Sequence, residues 1–142
     1  MTDLHLERVF DAPPEKLFAF VSSPEGLLQW WGPEGVTIAE HQLDFTTTGP
    51  WFSVMVNDKG ARMKVSGQVT HVDPPKSVGF TWGWHDETDA RNHESHVTIT
   101  VSPEGAGAKL TLDHRDLRDQ EQTDLHSMGW TSSLNKLASV FP

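Results

Sequence analysis

From residue 4 to about residue 114 the hydrophobic positions recur mostly with period two, and after that they switch to helical spacing. Leu4, Leu6 and Phe10 share one side of a first predicted strand, with Arg8 interrupting the series. Pro13-Pro14 ends it, because proline cannot donate to a ladder. Leu17, Phe18 and Val21 then give one apolar face over about two helical turns. Ser23-Pro24-Glu25 reads as N-cap, first turn and acidic first-turn residue of a second short helix, which stops at Gly32-Pro33.

A run of strands follows. Val36–Ala39 is a short one, Trp51–Val56 is stronger, and Asn57-Asp58-Lys59-Gly60 is a turn. Met63, Val65 and Val69 lie on one face of the next strand, and Asp73-Pro74-Pro75-Lys76 turns the chain again. Val78, Phe80, Trp82 and Trp84 share a face, as do Val97, Ile99 and Val101, and then Leu110, Leu112 and His114. Residues 85–96 are polar apart from Ala90 and read as a mobile loop. The short turns imply antiparallel pairing, with one face of the sheet apolar. From about Asp119 to Val140, Leu125, Met128, Leu134, Leu137 and Phe141 recur at helical spacing with Trp130 beside them. At 1.5 Å per residue this is a rod of roughly 33 Å, the apolar counterpart that a one-sided sheet requires. The fold class is therefore α+β. A curved antiparallel sheet of about six to seven strands wraps a long C-terminal helix, with two short helices after the first strand.

Composition narrows the function. The 142 residues fit one domain over 1–142. A net charge of −9 with only 11 dispersed basic residues argues against nucleic acid. No cysteine is present, which removes disulfides, thiolate metal sites and thiol nucleophiles. The N-terminal residues lack the pattern of a signal peptide, and no apolar stretch is long enough to span a membrane, so the expected location is the cytoplasm. Six tryptophans and no tyrosine supply large apolar rings with only an N–H donor, suited to a core or to a cavity wall.

Four segments stand in register: ERVFDAPPEKLFAFVSSPEGLLQWWGP, GQVTHVDPPKSVGFTW, SHVTITVSPEGAGAKLTLDHRDL and HSMGWTSSLNKL. Over about residues 8–141 they resemble homologues of the C-terminal domain of the heat-shock-protein-ninety ATPase activator. That family lies within the START and pollen-allergen-like (SRPBCC) superfamily. The resemblance implies a helix-grip domain with a deep cavity between sheet and long helix. Members bind lipids, polyketides, hormones or other apolar molecules, and a few act as cyclases or hydrolases. The eukaryotic activator carries a separate N-terminal domain, for which this length leaves no room.

Phe52, Val54, Met63, Val65, Phe80, Trp82, Leu112 and His114 are expected to face one interior, closed from the helix by Met128, Trp130 and Leu134. Either these rings frame a hollow or they fill a core. His114 reads as a general base or ligand donor, or else as a buried histidine satisfied locally. Glu94 reads as a polar group at the pocket mouth or as solvated loop. His93, Glu94 and His96 with His85 make a poor metal set on an extended strand, and no metal or cofactor is expected. Trp31 is a lid at the cavity entrance or a plug holding the short helices on the sheet. The leading expectation is binding of a small apolar or amphipathic molecule. A cyclase- or hydrolase-like enzyme using His114 is the second, and a co-chaperone with a chaperone ATPase as partner is the third.

Overall fold

The computed structural model describes residues 1–141. The elements are β1 (Thr2–Phe10), α1 (Pro14–Ser22), α2 (Pro24–Trp30), β2 (Thr37–Gln42), β3 (Gly49–Val56), β4 (Arg62–Asp73), β5 (Ser77–His85), β6 (Arg91–Glu104), β7 (Gly107–Leu117) and α3 (Gln120–Val140). The strands form one curved antiparallel sheet in the order β1-β7-β6-β5-β4-β3-β2. The helices pack on its concave face, so the fold is α+β in the helix-grip arrangement. No helix among the described residues is long and apolar enough to cross a membrane.

Local chemistry sets the helix starts. Pro14 opens α1, where its missing N–H has no intrahelical role. Ser23 caps α2 by accepting from the Gly26 N–H at 3.2 Å. Asp119 caps α3 by accepting from the Gln122 N–H at 2.9 Å. At about 1.5 Å per residue, α3 is a rod of roughly 31 Å. It lies toward the β1 edge, where Arg8 donates to the Asn135 side chain at 2.8 Å. Beyond its end, Phe141 meets Phe10 and Phe20 edge-on at 5.7 and 5.2 Å. One rod placed there cannot cover a seven-stranded sheet, and the middle of the concave face is covered by rings instead.

The polar stretch 85–96 is not a loop throughout. The turn occupies only residues 86–90, and β6 begins at Arg91. Asp86 closes the turn by accepting from the Thr88 N–H, the Thr88 hydroxyl and the Ala90 N–H. The first inward residues of β6, His93 and Ser95, are polar, so the strand start carries no hydrophobic alternation to read.

Trp31 joins the layers. Its indole lies against Trp30, Phe45, Trp51, Phe80, Trp82 and Trp130, with ring centroids 5.6–6.3 Å away. Its Nε1–H donates to the Ser53 hydroxyl at 2.9 Å, both groups fully buried. The chain behind it is fastened to α3. The Lys136 ammonium donates to the carbonyls of Trp31 and Gly32, each at 3.2 Å, and the Glu34 N–H donates to the Ser132 hydroxyl at 2.8 Å. Gly32 takes φ of +81°, and a Cβ there would sit 3.2 Å from Met55 Sδ.

Two substitutions measure this junction. Ser53→Ala strands the Trp31 N–H and is expected to cost about 1–3 kcal/mol of unfolding free energy. Gly32→Ala forces an L-residue into the left-handed region and is expected to cost about 1–2 kcal/mol. Urea unfolding checks both, and an unchanged midpoint in either would remove that contact from the account.

Candidate functional site

A cavity of about 430 Å³ opens between the first half of α3, the Trp31-Gly32-Pro33 segment and strands β3 to β5. Trp31, Trp82, Trp84 and Trp130 contribute rings, and Met55 and Met63 contribute thioethers. α3 contributes Gln122, Leu125, His126, Gly129 and Ser133, which recur at helical spacing along one stripe. Gly129 is a gap in that stripe. A Cβ there would meet only Pro33 Cγ, at 3.8 Å, an ordinary contact.

Among the described residues His126 is the one titratable residue in the wall. Its Nε2 accepts from the Trp84 indole N–H at 2.9 Å, and its Nδ1 faces the Gln122 carbonyl at 2.6 Å. A carbonyl can only accept, so Nδ1 carries the proton and the ring is neutral. Burial lowers the His126 pKa, against the partial opposition of that carbonyl. A second, more polar pocket of about 230 Å³ lies beyond it, lined by Asn92, His93, Ser95, Leu117 and Arg118. The two pockets share Trp82, Trp84, Gln122 and His126, so the Trp84–His126 pair stands between them.

His114 lies behind the wall rather than in it. Its ring is completely buried, and both nitrogens are engaged. Nδ1 accepts from the Trp130 indole N–H at 3.0 Å, which puts the proton on Nε2, 2.7 Å from the Ser95 hydroxyl. That hydroxyl in turn faces the Trp82 carbonyl at 3.4 Å. Burial drives the pKa down to about 3, and the nearby His126 and His96 push the same way. A ring so placed holds Trp130 and does not present a free nitrogen to the cavity.

Among the other residues expected to share one interior, Met63, Trp82 and Trp130 line the cavity, and so does Trp31. Val65, Phe80, Leu112 and Leu134 are packed core, with Phe80 stacked on Phe45 at 4.4 Å. Phe52 and Val54 belong to the opposite face of β3, where Lys64 lies over the Phe52 ring. The inward residues there are Trp51, Ser53 and Met55, a phase hidden because the run is apolar on both parities. Met128 is 71% exposed. It sits about 200° round the helix from both His126 and Trp130, hence on the solvent side. Glu94 also faces outward and pairs with Arg91 at 3.0 Å. Met55, Trp84, Leu125, His126 and Gly129 also line the wall, with Gly32, Pro33, Gln122 and Ser133, and the common stripe of Leu125, His126 and Gly129 on α3 is the signal that could have found those three.

The buried histidines make stability depend on acid. Unfolding returns His114 to an ordinary pKa of 6.5, so between there and about 3 the unfolded chain binds a proton that the folded chain refuses. Stability is full above that window and declines as pH falls through it, by up to ~1.4 kcal/mol per unit for each such histidine. Urea unfolding from pH ~7 to ~4 is expected to show this slope, reduced in His114→Gln. An identical slope in that variant would refute the assignment.

The chain can now be set beside known proteins. The family model described as "Activator of Hsp90 ATPase homolog 1-like protein" matches residues 11–142. The crystal structure of the AHSA1 protein from Silicibacter pomeroyi is 62% identical, with a TM-score of 0.94 over 97% of this chain and 96% of that one. A protein from Chromobacterium violaceum, 24% identical, superposes with a TM-score of 0.86 over 98% of this chain and 96% of its own. One from Mycobacterium smegmatis, 22% identical, gives 0.80 over 99% and 90%. These last two show likeness of fold alone. No curated protein matches the sequence. The extent of the family match and the similarity to the Silicibacter protein place this chain in the Activator of Hsp90 ATPase homolog 1-like family.

Proposed function

We propose that the protein binds a small apolar or amphipathic molecule in the cavity between α3 and strands β3 to β5. The observation that carries this reading is the wall itself: four tryptophans and two methionines around about 430 Å³, with His126 the only titratable group there among the described residues. That volume lies toward the lower end of the ~300–1,000 Å³ typical of small-molecule sites. At ~30 Å³ per water-sized group it accepts on the order of 14 non-hydrogen atoms. Burying roughly 250 Å² of apolar guest surface at ~25 cal/mol per Å² yields about 6 kcal/mol before the cost of association. That gross figure corresponds to about 40 μM, so after the cost of association affinities around the millimolar range follow.

A series of straight-chain alcohols from hexanol to decanol tests the reading, with tryptophan emission as the signal. Wild type is expected to show a saturable change, with affinity rising about fourfold per methylene until the cavity is full. Gly129→Phe projects a ring into the cavity from a position with room for it and is expected to abolish the response while unfolding stays cooperative. A linear, non-saturating response, or one untouched by Gly129→Phe, would refute the site.

A further inference from the structure

We propose that the guest of this cavity is a small organic cation of low charge density, an alkylated ammonium, held against the faces of its tryptophans. The inference rests on the ligand-binding reading above and deepens it. The rings stand as adjoining walls. Trp82 and Trp84 meet at 87° with centroids 5.5 Å apart, and Trp31 and Trp130 meet at 83° and 5.7 Å. Trp82 and Trp130 close the corner between those pairs at 5.2 Å. An indole face carries negative potential and attracts a cation more strongly than phenol or benzene faces do. Met55 and Met63 add polarizable sulfur.

Nothing in the wall opposes a positive guest. Among the described residues no lysine or arginine lines the cavity, and His126 is kept neutral by burial and by the Trp84 N–H that occupies its Nε2. Lys136, whose ammonium touches the chain beside the cavity, is directed at the carbonyls of Trp31 and Gly32. The carboxylates of Glu34, Glu121 and Asp124 are exposed and adjoin the lining residues Pro33, Gln122 and Leu125 in sequence. The chain as a whole carries −9 and draws cations toward it. A hard metal ion would have to lose its water to a largely apolar wall in which only Gln122 and Ser133 carry side-chain oxygens, far fewer than the six or more ligands such an ion takes. An alkylated ammonium loses little hydration and gains the ring faces.

Three compounds of equal heavy-atom count separate the possibilities: phenyltrimethylammonium, tert-butylbenzene and benzenesulfonate. The six indole N–H resonances of isotope-labelled protein report binding and its place. The cation is expected to bind about tenfold more tightly than its neutral isostere, and the sulfonate more weakly than both. Trp84→Leu keeps an apolar wall but removes one face, and it is expected to shrink the ratio of cation to neutral-compound affinity. Equal or tighter binding of tert-butylbenzene, or preference for the sulfonate, would overturn the cation and leave the cavity reading intact. No saturable shift with any of the three would overturn both.

Discussion

A single buried indole N–H, that of Trp31 donating to Ser53, fixes where the short helices meet the sheet. Around this bond the rings of α2, β3, β5 and α3 converge, so the polar contact sets the register of an apolar junction. Hydrophobic burial alone is non-directional and would let the two-helix segment slide over the sheet. The hydrogen bond selects one seating, because any other leaves a donor stranded in a dry interior. The Lys136 ammonium, satisfied by two backbone carbonyls, fixes the same segment from the helix side.

The same logic runs through the interior beyond Trp31. Trp130 reaches its partner in His114, Trp84 in His126, and Trp51 in the Thr81 carbonyl. Histidine serves this role because a neutral imidazole accepts on one nitrogen while donating with the other. Each ring therefore links two neighbours, and each must remain uncharged to do so. Among the described residues the Nε1–H groups of Trp30 and Trp82 find no partner, and Trp82 is a residue of the cavity wall.

The order and kind of elements could be read from the sequence because turns and caps were local signals. Ser23, Asp119 and the change of hydrophobic period announced the helices directly. The family resemblance likewise holds. Side-chain direction was harder. β3 is apolar at both parities, and its inward phase is marked by a serine, which sequence reasoning sends to solvent. Only the partner indole, distant in sequence, explains Ser53. On α3 about half a turn separates Met128 in solvent from His126 and Trp130 inside, and a stripe containing glycine, glutamine and histidine does not register as apolar. His114 was legible as an inward residue, yet its employment by Trp130 and Ser95 depends on three elements meeting.

At Gly129 the helix presents bare backbone to the open space, with Pro33 across the gap. The bore of the chamber is therefore set by a missing side chain rather than by a packed one. A methyl, a hydroxymethyl or an isopropyl group there would narrow the passage by steps without disturbing any ring behind it. Descendants of this sequence could change the girth of what they admit through one codon, leaving the scaffold untouched.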